Sequence, residues 1–95
     1  MKSIEFDRDK NEWLLKERGI CFDDIIPLVI DEEIIEDIPH PNKNKYPKQR
    51  IMFLEFGGYI YAVPYVEDTK KIFLKTIYPS RKAQKLFGGE DEEER

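Results

Sequence analysis

The chain has 95 residues, 40% of them hydrophobic and 13% aromatic, with 20 acids against 16 Lys and Arg and a formal net charge of −4. That length supports one modest core, and the aromatic content argues for a folded domain over a disordered one. No apolar run approaches the roughly 20 residues that span a membrane, and Cys21 and His40, each the single residue of its type, exclude an internal disulfide and a Cys₄ or Cys₂His₂ zinc site.

The N-terminal stretch has acids where a signal peptide needs apolar residues, so the expected location is the cytoplasm. Ile4-Glu5-Phe6 reads as a short lead-in strand, and Asp7 as the cap of a helix from about Arg8 to Arg18. Phe6, Trp13 and Leu14 form the apolar side of that helix, and Gly19 ends it in the left-handed conformation. A second helix begins near Cys21, with Asp23 and Asp24 suited to its N-terminus and Pro27 as an interruption. Residues 34–38 read as a short edge strand. Pro39 to Pro47, with three prolines and two asparagines, is a loop.

Three strands follow: Gln49 to Phe56, Tyr59 to Glu67 and Lys70 to Tyr78. Gly57-Gly58 fits a two-residue hairpin turn, and Asp68-Thr69 is the second turn. Ser80 caps a final helix over 81–87, stopped by Gly88-Gly89. The like-charge run 90–95 is read as a disordered tail after a single domain over 1–89. Grouped helices followed by grouped strands indicate α+β, with two N-terminal helices on a 3–4-stranded antiparallel sheet and a short C-terminal helix.

The glycine turn places Phe56 opposite Tyr59, Leu54 opposite Tyr61, Met52 opposite Val63 and Arg50 opposite Tyr65. The second turn places Tyr65 opposite Ile72 and Tyr59 opposite Tyr78. Pro64 has no amide hydrogen, so it requires a bulge or a missing ladder bond.

Charge is unevenly divided. Residues 1–40 hold 12 acids and 5 bases; residues 41–89 hold 3 acids and 10 bases, locally +7. The basic half points to an anionic partner, or else to solvated lysines that protect strand edges and turns. Its alternating tyrosines pack inward or offer bases a stacking surface. RNA cleavage suits the residues present, because the 2′-hydroxyl is an internal nucleophile and no metal or cofactor is needed. Arg50, Lys75, Arg81, Lys48 and Lys82 are candidates for phosphate binding and charge stabilisation, and Tyr65, Tyr78 and Ser80 for hydrogen bonding. His40 is the one side chain that ordinarily changes charge near neutral pH, which makes it a candidate for proton transfer.

The segment Ile4-Glu5-Phe6-Asp7-Arg8-Asp9-Lys10-Asn11-Glu12-Trp13, continued by Lys16-Glu17-Arg18-Gly19-Ile20-Cys21-Phe22-Asp23-Asp24, resembles the start of the BrnT family of bacterial toxins. Ile77-Tyr78-Pro79-Ser80-Arg81-Lys82-Ala83 is similar to that family's closing Arg-Lys-Ala helix. Arg18 stands where the family commonly has histidine, and Cys21 where it commonly has serine. The resemblance covers about residues 4–87. It implies a RelE-like fold and a type II toxin that cleaves RNA without metal and stops translation. It also implies a ribbon–helix–helix antitoxin as partner, promoter DNA being bound only through that antitoxin. On matching positions, Arg50 and Arg81-Lys82 are the implied phosphate-binding residues. A catalytically inactive protein-binding module of the same fold is the competing expectation.

Overall fold

The computed structural model describes residues 2–88. The tail 90–95, read above as disordered, lies outside them, as does Gly89. The elements are β1 (Ser3–Phe6), α1 (Arg8–Arg18), α2 (Phe22–Ile30), β2 (Glu36–Pro39), β3 (Arg50–Phe56), β4 (Tyr59–Glu67), β5 (Lys71–Leu74), β6 (Tyr78–Pro79) and α3 (Arg81–Ala83), which continues as a π-helical turn, Gln84–Gly88. The class is α+β. Among the described residues, no helix is long and apolar enough to cross a membrane.

Local chemistry sets the helix ends. The Asp7 carboxylate accepts the Asp9 amide at 3.0 Å, and Gly19, at φ 72°, donates its N–H to the Leu15 carbonyl. Asn11 ties the two N-terminal helices together: its side chain accepts the Phe22 amide at 2.6 Å and donates to Asp23 at 3.1 Å. The Asp24 carboxylate accepts the Cys21 amide at 3.0 Å. Pro27 lies inside α2, yet on its exposed side, so it removes one helical bond without leaving a buried group unpaired. Leu14 is the fully buried residue of α1, whereas Trp13 is 43% exposed. The apolar side expected to carry both therefore carries Leu14 alone, because one step along a helix turns about 100°.

The sheet departs from the expected 3–4 antiparallel strands. It has six strands and is mixed, in the order β1-β5-β4-β3-β2, with β6 also on β4. β1 runs parallel to β5, placing Ile4 beside Ile72 and Phe6 beside Leu74. This pairing joins residues 68 positions apart and extends the inward apolar row. The β3–β4 register is the one that the Gly57-Gly58 turn predicts, from Arg50 opposite Tyr65 to Phe56 opposite Tyr59.

The second turn is shifted by one residue. Asp68 and Lys71 close it, with Thr69-Lys70 as the loop, because the Asp68 carboxylate accepts the amides of Lys70 and Lys71 at 2.8 and 2.9 Å. Tyr65 thus opposes Leu74 instead of Ile72. The two-residue slip along the strand preserves the faces, so Ile72 and Leu74 still point to the core.

Pro64 breaks the expected third strand in two. β5 pairs with Tyr65–Glu67, and β6 pairs with Tyr61 and Ala62. Between them residues 75–77 bulge, and the Lys75 amide donates to the Pro64 carbonyl at 2.8 Å. The bulge changes the parity of the chain. Tyr78 opposes Ala62 rather than Tyr59, and Ile77 turns into the core.

The core lies on one face of the sheet, where Leu14, Ile20, Phe22 and Ile25 from the helical half meet Met52, Leu54, Val63, Leu74 and Ile77. Ile51, Phe53, Ile60 and Ala62 alternate to the opposite face. There the C-terminal helix covers part of the sheet: Ala83 is buried, and the Gln84 carboxamide accepts the Ile60 amide at 2.9 Å. The remainder of that face is an open groove.

α2 ends in a Schellman turn. Glu33 donates to the Leu28 carbonyl at 2.8 Å and Glu32 to the Val29 carbonyl at 3.1 Å, with Glu32 at φ 59°. Left-handed backbone costs a side-chain-bearing residue roughly 1–2 kcal/mol, against about 0.5–1 kcal/mol for the extra entropy lost by glycine. Glu32→Gly should therefore raise unfolding stability by about 0.5–1 kcal/mol in urea melts, whereas Asp31→Gly should lower it.

Candidate functional site

The sheet divides the candidate residues between its two faces. Arg50 and Tyr65 lie on the helix-covered face. The Asp37 carboxylate accepts from Arg50 Nε at 2.9 Å and from the Tyr65 hydroxyl. Arg50 Nη2 also donates to the Asp37 carbonyl at 3.2 Å. Asp37 was not among the residues singled out from the sequence. Its position opposite Met52, two strands away from Tyr65, is set by the β2–β3–β4 register.

This arrangement answers two of the expectations. The Tyr65 ring belongs to the core and only 3% of the residue is exposed, so it offers no surface for a base to stack on. The Arg50 guanidinium is balanced by Asp37, and that carboxylate raises its already high pKa through hydrogen bonding, helped by the Tyr65 hydroxyl and by the charge of Asp37. Burial, the hydrogen bond to Asp37 and the Asp37 charge together push the Tyr65 hydroxyl well above the usual phenol range.

Arg50 also closes a sheet edge. Ile38 is bonded inward to β3, so the backbone groups of Asp37 and Pro39 face outward. The guanidinium occupies the Asp37 carbonyl, and Pro39 has no donor.

His40 sits in the loop after β2. Its Nδ1 accepts the Asn42 amide at 3.0 Å, and its ring packs on Tyr46 at 4.5 Å between centroids. The Asn42 side chain in turn accepts the Lys45 amide. The imidazole thus organises its own loop in the form unprotonated at Nδ1. Lys48 is exposed in the same loop.

Of the remaining candidates, Tyr78, Ser80 and Lys82 line the open side, and Arg81 lies between the last two in the chain. Lys75 leans over the Phe73 ring, 5.5 Å from its centroid. Tyr78 is exposed on β6, and Ser80 caps α3 by accepting the Ala83 amide at 3.1 Å. Arg81 and Lys82 follow, both exposed. Ion pairs among the described residues engage Lys2, Arg50 and Lys71; none engages Lys75, Arg81 or Lys82. Tyr78, Ser80 and Lys82 border a groove of about 420 Å³, floored by Phe53 and Ile51 and flanked by Leu86 and Phe87. No family model, curated protein or solved structure matches this chain.

Chemically, this side can hold an anion that also carries an apolar or aromatic part. Among the described residues Lys75, Arg81 and Lys82 take part in no ion pair, Glu36 also lines the groove, and Tyr78 and Ser80 supply hydroxyls. Among the described residues, no group of three or more His, Cys, Asp and Glu side chains gathers in a way that could hold a metal ion.

The raised phenol of Tyr65 sets a pH dependence. An unfolded tyrosine loses its proton near pH 10. The folded protein keeps that proton to higher pH, so the unfolded state binds fewer protons there and stability falls as pH rises. The contribution is fully present below about pH 10 and is lost above it. In melts from pH 8 to 12, the stability advantage over Tyr65→Phe should hold at the lower end and shrink above about pH 10.

Proposed function

We propose that this chain is the toxin of a BrnT-like type II toxin–antitoxin pair, with a RelE-like fold, and that its open sheet face binds and cleaves RNA without a metal. The observation that carries this reading is the group of exposed Lys75, Tyr78, Arg81 and Lys82 with half-buried Ser80 among them, whose cations take part in no ion pair of the described residues. Three such cations next to hydroxyl groups suit a phosphodiester better than a neutral ligand.

In the cleavage step, the 2′-oxygen attacks the neighbouring phosphorus and the 5′-oxygen leaves. The phosphorane-like transition state gains negative charge, which Arg81 and Lys82 stabilise. Lys75 and Tyr78 hold the flanking backbone. Arg50 belongs to the opposite face and to Asp37, so charge stabilisation is assigned to the C-terminal pair. His40 remains the candidate for proton transfer by its chemistry alone.

A second reading, an inactive protein-binding module, is favoured by the apolar groove with its exposed Leu86 and Phe87. Such a groove suits the apolar side of an antitoxin segment. The two readings share the antitoxin and differ in RNA cleavage.

Inducible expression in bacteria tests the choice. Growth arrest by the unsubstituted chain, lost in a soluble Arg81→Ala variant, supports the toxin. Full arrest by that variant removes Arg81 from the site, and no arrest from abundant folded protein favours the binding module. In binding assays with single-stranded RNA, Lys82→Ala should flatten the dependence of log affinity on log salt by about 0.7, the loss of one phosphate contact.

A further inference from the structure

Trp13, the sole tryptophan, has no role in the core or in the strip described above. It stands on the outer side of α1, 43% exposed, between two cations. Lys10 Nζ lies 4.6 Å from the ring centroid, and the Arg18 guanidinium carbon 5.1 Å. Asp9 and Glu17, one turn before and after Trp13, form no ion pair with either cation. Arg18 further donates from Nη1 to the Ile77 carbonyl at 2.5 Å. That bond fastens this end of α1 to the bulge that separates Lys75 from Tyr78. Ile77, to which Arg18 is tied, directly precedes Tyr78 and follows Lys75 by two residues, so the aromatic–cation group of α1 is anchored beside the chain segment that carries the strip.

We propose that Trp13 is a base-stacking position for single-stranded RNA, with Lys10 and Arg18 as its phosphate contacts, so that the bound strand passes from the open face around the bulge to α1. The proposal rests on the RNA-binding reading above. An exposed indole flanked by cations matches both halves of an unpaired nucleotide: a flat base and an adjoining negative charge. A duplex keeps its bases stacked on one another, so an unpaired segment is the fitting ligand. On binding, the base takes the ring face and the Lys10 ammonium moves to the phosphate beside it.

Because Trp13 is the only tryptophan, its fluorescence reports on this position alone. The test uses a 2′-O-methylated single-stranded RNA oligonucleotide, which lacks the attacking hydroxyl. Dye anisotropy reports binding anywhere on the protein, while tryptophan emission reports stacking. The expected result is quenching with the same midpoint as the anisotropy rise. Trp13→Leu should weaken binding about tenfold, with Trp13→Phe intermediate and the melting temperature little changed. Binding by anisotropy with unaltered Trp13 emission, or unchanged affinity of Trp13→Leu, overturns the proposal and leaves the open-face reading standing. That result would reassign the indole to a protein contact. Absence of anisotropy change with the unsubstituted protein overturns both.

Discussion

The missing amide hydrogen of Pro64 governs the second half of this fold. In the β3–β4 hairpin, Ile60, Ala62 and Pro64 direct their backbone groups away from β3, toward the edge where the returning chain must pair. At Pro64 that edge has an acceptor and no donor. The returning chain uses the acceptor through Lys75, steps out over residues 75–77 and resumes pairing at Tyr78. The displaced parity has two results. Ile77 completes the core under the helices, and Tyr78 emerges on the opposite face beside the groove. A donor at position 64 would favour continuous pairing, which sends Tyr78 to the helix-covered face and dismantles the exposed strip.

The basic half of the chain contains two kinds of cation, and their partners separate them. Arg50 answers a carboxylate and a carbonyl of β2 and helps to hold an edge strand of four residues against its neighbour. Its replacement would be felt in the local packing of β2 as well as in charge. Lys75, Arg81 and Lys82 have no carboxylate within ion-pair reach among the described residues, so their replacement changes the field around the open face while leaving the core alone. The same division applies to the tyrosines: Tyr65 is fixed by burial and Asp37, and Tyr78 is presented to solvent.

Local signals were readable in the sequence wherever a short stretch of chain decides the outcome. Asp7 and Gly19 mark both ends of α1, Gly57-Gly58 sets seven paired positions, and Pro64 announces the interruption of its ladder. What could not be read depends on distant partners. β1 finds β5 across most of the chain, and nothing in Ser3–Phe6 specifies a parallel neighbour. Arg50 looked like a free phosphate ligand because Asp37 lies 13 residues earlier in an acid-rich stretch, indistinguishable there from a surface charge. Trp13 looked buried because aromatic residues usually are. Its exposure follows from Leu14 taking the inward direction, with Lys10 and Arg18 lying over the indole. The second turn falls one residue later than its composition suggests, because Asp68 acts as the acceptor before the loop rather than as a loop residue.

The closed edge at β2 also bears on how copies of this protein could assemble. A sheet grows by adding strands, and indefinite growth needs two receptive ends. At β2 an incoming strand meets Pro39 in place of a donor and must displace Arg50 from the Asp37 carbonyl. The other end of the sheet is β1. Two molecules joined through β1 would present outward the closed β2 edges and the two-residue β6, which is too short to template a strand, so edge-to-edge association terminates at a pair instead of propagating into a fibre.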